Sequence, residues 1–139
     1  MKLVISDVKT GFSYQKELEK GKEAQLLGKK IGDAVDGGIV GMDGYSLKIT
    51  GGSSKEGLPM RADIKGQRKT GALLSCGTGV RNLKKGQRLK KNVYGNTISA
   101  DIFQLNLKIV GVGAKKLDEL GFVQKVKEKG AEKEAKPAK

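Results

Sequence analysis

The chain has 139 residues and a formal net charge of +13, from 28 Lys and Arg against 15 Asp and Glu. This length suits one domain with a modest core, and the excess charge favours a polyanionic partner, either nucleic acid or an anionic membrane surface. With no His and only Cys76, the chain cannot form an intramolecular disulfide, and we expect no metal site and no cofactor.

The first third of the chain is typical of short strands joined by turns. Lys2–Asp7 alternates apolar and polar residues and predicts a strand, and Phe12–Leu18 predicts a second one after a turn at residues 9–11. Glu23–Leu27 predicts one helical turn that ends at Gly28. Because Lys2–Asp7 becomes polar so soon, we do not expect a signal peptide.

A glycine-rich hairpin is predicted next. Ile31–Val35 enters it through Gly37-Gly38, and Ile39–Gly41 and Tyr45–Thr50 are predicted to pair around the turn at Asp43-Gly44. The loop at residues 51–57 resembles a phosphate cradle but lacks both the Gly-Lys-Ser/Thr ending and a following helix. We therefore reject a nucleotide site there and retain contact of Lys55 and the loop amides with an RNA phosphate.

The second half predicts more strands and one helix. Ala72–Ser75 is a short strand, Thr97–Asp101 and Gln104–Val110 form a strand pair, and Lys115–Leu120 has helical spacing. The fold class is therefore mostly β. We expect a small antiparallel β-barrel-like domain over residues 1–122, with one or two short helices, and a disordered Lys-rich tail over residues 123–139.

The positive charge is concentrated in the centre of the chain. Residues 61–95 contain ten basic side chains and one acidic side chain, so the net charge of this quarter is +9. A solvated surface normally mixes its signs, so a polyanionic partner is the preferred interpretation over a plain solvated surface. The predicted RNA-binding residues are Lys55, Arg61, Lys65, Arg68, Lys69, Arg81, Lys84, Lys85, Arg88, Lys90 and Lys91.

The segment Arg81–Lys91 is expected to form an extended basic arm. Its six basic residues cannot all lie on one face of a helix or strand, and Gly86 disfavours a regular helix. We expect residues 80–92 to be mobile in the free protein because like charges repel and few apolar residues fix them. Membrane-surface binding is rejected because this region contains no amphipathic helix.

Catalysis finds little support among the polar residues. Cys76 has no His to activate it and follows Leu73-Leu74-Ser75, so a buried or inert thiol is favoured over a nucleophile. Asp33 and Asp36 lie beside glycines, where turn capping is the favoured role. A small enzyme acting on phosphorylated substrates is the weakest of the functional alternatives.

Several motifs resemble the small-subunit ribosomal protein six family of archaea and eukaryotes. They occur in family order over about four-fifths of the chain. They are Ile31–Gly37, Leu47–Gly52 followed by Lys55-Glu56-Gly57-Leu58-Pro59-Met60, Lys85–Asn96, and Ser99–Ile102 with Gln104–Val110. The Gly-Gly…Gly-x-Pro-Met element and the Asn-Leu strand are the specific parts of the resemblance.

The resemblance implies a β-barrel-like domain packed on small-subunit ribosomal RNA, in the cytoplasm, with no enzymatic activity. The chain departs from the family pattern at Leu58, at Val80-Arg81-Asn82 and at Tyr94, where the family favours Arg. A packed Tyr94 is favoured over one that stacks on a base. No Ser follows Ser99, so the serine phosphorylation of eukaryotic members is not expected here.

We therefore predict a structural constituent of the small ribosomal subunit that binds ribosomal RNA through residues 61–91. Its partners would be that RNA and neighbouring ribosomal proteins, and the isolated chain would be a monomer. The alternative is a free RNA chaperone or a translation-factor-like module outside the ribosome.

Overall fold

Seven strands and two short 3-10 helices form the part of the protein that the computed structural model describes, residues 1–19 and 21–113. The strands are β1 (Lys2–Ser6), β2 (Ser13–Glu17), β3 (Ala34–Asp36), β4 (Ser46–Ser54), β5 (Lys69–Leu74), β6 (Leu89–Tyr94) and β7 (Ile102–Gly111). The 3-10 helices are Lys22–Gln25 and Gly37–Val40. The predicted helix at 115–120 and the tail at 123–139 lie outside the described residues.

Five strands form one sheet in the order β2-β1-β7-β4-β3, and β5 and β6 form a separate antiparallel pair. Strand β1 runs parallel to β7, whereas the other neighbouring strands are antiparallel. The prediction of a mostly β fold is confirmed. The five-stranded sheet has two open ends, at β2 and β3, so the predicted barrel-like closure is not confirmed.

One face of the five-stranded sheet forms the core. Period-two alternation places apolar residues of the three central strands on the same side, which is the expected pattern for a sheet with one solvated face. These residues are at most 6% exposed: Leu3 and Ile5 in β1, Leu47 and Ile49 in β4, and Leu105, Leu107 and Ile109 in β7. Their burial holds the strands in register, because a slip by one residue would turn all of them toward water.

The segment around Pro59 and Met60 joins the two sheets. The Met60 amide donates to the Gly52 carbonyl at 2.9 Å, and the Tyr94 amide donates to the Pro59 carbonyl at 2.9 Å. Gly52 is required here because a Cβ would lie 2.4 Å from the Gln104 carbonyl oxygen on β7. The Gly-Gly…Gly-x-Pro-Met element therefore joins the β5–β6 pair to the end of β4 in the larger sheet.

Two predicted strands were wrong, and one observed strand was not predicted. Ile39–Gly41 is not a strand, because Asp36 caps the 3-10 helix Gly37–Val40 by accepting from the Gly38 amide at 3.4 Å, and β3 pairs with β4 instead. Thr97–Asp101 forms only an isolated bridge, from Thr97 to Lys30, followed by a turn. The sequence pattern also missed β6, which was predicted as part of the basic arm.

Candidate RNA-binding surface

The β5–β6 pair separates the predicted basic residues onto two faces. In its register Ala72 lies opposite Lys91, and Leu73 lies opposite Lys90. Directly opposed residues of an antiparallel pair share a face, and consecutive residues point to opposite faces. Lys90 and Lys91 therefore project from opposite sides of the pair.

A loop over residues 75–88 connects the two strands and carries four of the predicted basic residues. Internal bonds shape it: the Val80 amide donates to the Gly77 carbonyl at 3.2 Å, and the Gln87 amide donates to the Lys84 carbonyl at 3.0 Å. Asn82 adopts a left-handed φ of 57°, which Asn tolerates better than most residues. The side chains of Arg81, Lys84, Lys85 and Arg88 are exposed on this loop.

Arg61 fixes the start of this loop. Its guanidinium donates to the carbonyl oxygens of Thr78 at 2.8 Å and Cys76 at 3.2 Å. It also donates to both carboxylate oxygens of Asp63, and only 13% of its side chain is exposed. The hydrogen bonds between Arg61 and Asp63 hold the pKa of Asp63 below its ordinary value and raise the pKa of Arg61. The guanidinium is thus occupied by contacts within the protein.

On the Lys91 side lies an open groove of about 710 Å³, which we call the hairpin groove. Arg81 and Lys91 line it together with Pro59, Val80 and Leu89, and its remaining lining residues are Gly57, Gly77, Thr78 and Gly79. No acidic residue is among them. The groove therefore combines two cations with apolar surface and glycine backbone that a ligand can approach closely.

On the Lys69 side lies a smaller cleft of about 220 Å³, which we call the Tyr94 cleft. Lys55, Arg68 and Lys69 line it, but Glu56 and Asp101 line it as well. The Lys69 ammonium pairs with the Glu56 carboxylate at 2.6 Å, so part of the positive charge is neutralised locally. The other lining residues are Ser54, Leu58, Gln67 and Tyr94.

Tyr94 closes the base of this cleft as a packed residue. It is 4% exposed, and its hydroxyl hydrogen-bonds with the Ser99 hydroxyl at 2.7 Å and donates to the Gln67 carbonyl at 2.5 Å. This burial confirms the prediction of a packed Tyr94 and leaves no ring face for a base to stack on.

The structure thus brings the predicted residues together only in part. Arg81 and Lys91 share the hairpin groove, and Lys55, Arg68 and Lys69 share the Tyr94 cleft. Arg61 lines neither site, because its guanidinium contacts Asp63 and the loop carbonyls. Five more predicted residues are exposed but also line neither site: Lys65, Lys84, Lys85, Arg88 and Lys90. The contributions of Pro59, Val80 and Leu89 were not predicted, although the Gly-x-Pro-Met element and the apolar residues inside the basic segment were visible signals.

The predicted turn-capping and thiol residues can be placed among the described residues. No group of three metal-ligating side chains occurs among the described residues, and none of their helices has the length and hydropathy of a membrane span. Asp33 and Asp36 accept from nearby backbone amides, as turn-capping residues do. Cys76 is exposed, so of the two predicted alternatives the buried thiol was wrong, and an inert thiol stays a prediction.

Comparison with known proteins gives one consistent result. The family model described as ribosomal protein S6e matches residues 1–121. A protein of Methanocaldococcus jannaschii named small ribosomal subunit protein eS6 is 48% identical over 119 residues, 86% of this chain and 88% of the relative. Relatives of the same name from Methanocella arvoryzae and Archaeoglobus fulgidus are 44% and 46% identical, over 99% and 89% of this chain and 96% of each relative.

Proposed function

Because the chain belongs to the ribosomal protein S6e family, of archaeal type, we propose that it binds small-subunit ribosomal RNA through the hairpin groove and the loop beside it. Membership of this family makes the chain a structural component of the ribosome, with a role in translation, and not an enzyme. Its location is accordingly the ribosome in the cytoplasm.

The observation that carries the RNA-binding proposal is the character of the hairpin groove. Arg81 and Lys91 line it without any acidic lining residue, and Lys84, Lys85 and Arg88 are exposed on the loop at its edge. None of these five side chains forms an ion pair with another described residue. These basic side chains, which have no acidic partner, are available to replace the counterions of a nucleic-acid backbone.

The two other basic groups have different proposed roles. The Tyr94 cleft holds three cations and two carboxylates, so we propose that it contributes less to phosphate binding than the hairpin groove does. Arg61 is proposed to position the loop, because its guanidinium is already bonded to Asp63, Cys76 and Thr78. Exposed aromatics are scarce, so RNA shape rather than base reading would supply most of the specificity.

Salt-dependent filter binding of the full chain to an archaeal small-subunit ribosomal RNA transcript tests this proposal. If six to eight side chains contact phosphates, log K should fall with log salt with a slope of roughly −4 to −7. The variant Arg81→Gln/Lys91→Gln should reduce the slope by about 1.4 to 1.8, because each phosphate contact contributes about 0.7 to 0.9. Binding that is insensitive to salt would contradict the proposal.

The place of the protein in the cell can be tested separately. A subunit constituent should co-sediment stably with small ribosomal subunits at high magnesium, whereas a free RNA chaperone should remain at the top of the gradient.

We also propose that the RNA-binding domain spans residues 1–122 and that the isolated chain is a monomer. The molar mass from sedimentation equilibrium would test the monomer proposal. The barrel-like closure of this domain stays a prediction.

A further inference from the structure

The solvent-exposed side of the five-stranded sheet lies outside the basic central segment and has an unusual charge arrangement. Lys48 on β4 lies directly opposite Lys108 on β7, and both residues are exposed. Opposed residues on adjacent strands place their Cβ atoms roughly 4.5 to 5.5 Å apart, and like charges in that position are destabilising. The adjacent strands β4 and β7 thus carry a repulsive pair.

No carboxylate compensates this pair. In the same row of the sheet, Ser6 on β1 lies beside Lys108 and Ala34 on β3 lies beside Lys48. The five strands contain two carboxylates. Glu17 pairs with Lys2 at 3.5 Å, and Asp36 accepts from the Gly38 amide. Neither the Lys48 nor the Lys108 ammonium forms an ion pair or hydrogen bond with any described residue.

Polar side chains on β7 and β4 continue this face of the sheet next to the two lysines. The Gln104 amide donates to the Asn106 side-chain oxygen at 2.9 Å, and Thr50 donates to the Asn106 carbonyl at 3.0 Å. The Gln104 oxygen and the Asn106 amide nitrogen have no partner among the described residues, so one acceptor and one donor group remain available. We call this surface the outer sheet face: Lys2, Lys48, Thr50, Gln104, Asn106 and Lys108.

An exposed aromatic ring lies beside this surface. Phe103 occupies the β-bulge between the Ser53–Gln104 and Ser54–Ile102 pairs, and 48% of it is exposed. The Lys2 ammonium lies 5.6 Å from the centre of its ring. Proteins bind unpaired nucleotides by combining an aromatic ring, which stacks on a base, with cations along the same surface, which contact phosphates.

We propose that the outer sheet face binds a second segment of ribosomal RNA, with Lys48 and Lys108 contacting phosphates and Phe103 stacking on an unpaired base. This inference rests on the proposed RNA binding but names a surface distant in sequence from residues 61–91. A polyanion relieves the repulsion between Lys48 and Lys108, which accounts for a pair that costs stability in the free protein. An acidic protein neighbour could form ion pairs with Lys48 and Lys108 but would offer no base to stack on Phe103.

The test compares three double variants of the full chain in filter binding to the same RNA transcript over a range of salt. Lys48→Gln/Lys108→Gln should reduce the salt slope by about 1.4 to 1.8, which corresponds to a loss of affinity of roughly 25- to 60-fold near 0.1 M salt. Its melting temperature should equal or exceed that of the native chain, because the repulsion is removed. The matched control Lys22→Gln/Lys30→Gln removes two exposed ammonium groups outside both surfaces and should leave the slope nearly unchanged.

The outcomes separate this inference from the proposed function. If Arg81→Gln/Lys91→Gln weakens binding but Lys48→Gln/Lys108→Gln behaves like the control, the inference is wrong and the proposed function stands. If the native chain itself binds without salt dependence, both are wrong. If Lys48→Gln/Lys108→Gln binds RNA normally but fails to enter reconstituted subunits, the surface serves a protein neighbour and the RNA assignment is overturned. Phe103→Leu should lower affinity without changing the slope, because stacking releases no counterions.

Discussion

Substitution of Arg61 separates a residue that positions the loop from residues that contact RNA. Arg61→Ala removes two hydrogen bonds to backbone carbonyls, at 2.8 and 3.2 Å, and an ion pair to a carboxylate that is 60% exposed. Each charged hydrogen bond contributes about 1 to 1.5 kcal/mol where the freed carbonyl can be rehydrated, and the exposed ion pair adds little. The expected loss is about 2 kcal/mol, or a fall in melting temperature of about 8 °C.

Thermal unfolding monitored by circular dichroism measures the fall in melting temperature, and two further variants serve as comparisons. Arg68→Ala removes an exposed side chain that forms no hydrogen bond or ion pair with any described residue, so the unfolding free energy should change by less than about 0.5 kcal/mol. Arg61→Lys keeps the charge but not the planar fork, so it should be destabilised nearly as much as Arg61→Ala. If Arg61→Ala melts like the native chain while its RNA-binding salt slope falls, Arg61 contacts RNA and does not position the loop.

Three further substitutions test the packing and electrostatics of the fold. Gly95→Ala would place a Cβ 2.1 Å from the Gly66 carbonyl oxygen and should cost at least about 2 kcal/mol in chemical denaturation, whereas Gly51→Ala, with no atom within 4 Å of its added Cβ, should be nearly neutral. Leu105→Ala, fully buried on β7, should cost about 2 to 5 kcal/mol, and an equal loss in the exposed control Val110→Ala would contradict the assigned core. Hydrogen bonds from the Lys9 amide and the Thr10 hydroxyl hold the pKa of Asp7 below its ordinary value of 3.8. The ionised carboxylate therefore stabilises the fold above pH 3.8, and this stabilisation is lost as the pH falls through the lower pKa of the folded state. Asp7→Asn should therefore flatten the decline of stability in acid, and parallel pH profiles for the two proteins would refute this role.

The strands of the larger sheet were predictable where one face is buried. In β1, β4 and β7 the alternation of apolar and polar residues is a direct consequence of a core on one side and water on the other. Strand β6 lacks this signal, because Leu89, Lys90, Lys91 and Asn92 are all exposed and only its last two residues are buried. Its pairing with β5 is set by tertiary contacts through Pro59 and Met60, which no local pattern contains.

The functional surface was predictable in composition but not in arrangement. The excess of Lys and Arg in residues 61–95 is visible in the sequence, whereas its division between the hairpin groove and the Tyr94 cleft depends on the register of β5 with β6. The capture of Arg61 by the carbonyls of Cys76 and Thr78 depends on a loop conformation that composition does not specify. Likewise, Lys48 and Lys108 lie on two predicted strands, but only the β4–β7 register places them side by side.

Hydroxyl-radical footprinting of archaeal small-subunit ribosomal RNA, with and without the full chain, tests the central claim most directly. We expect discrete protected backbone positions that lose protection in Arg81→Gln/Lys91→Gln and keep it in Lys22→Gln/Lys30→Gln. Cleavage patterns that are identical with and without the protein, or protection that both variants retain in full, would contradict RNA binding through the hairpin groove.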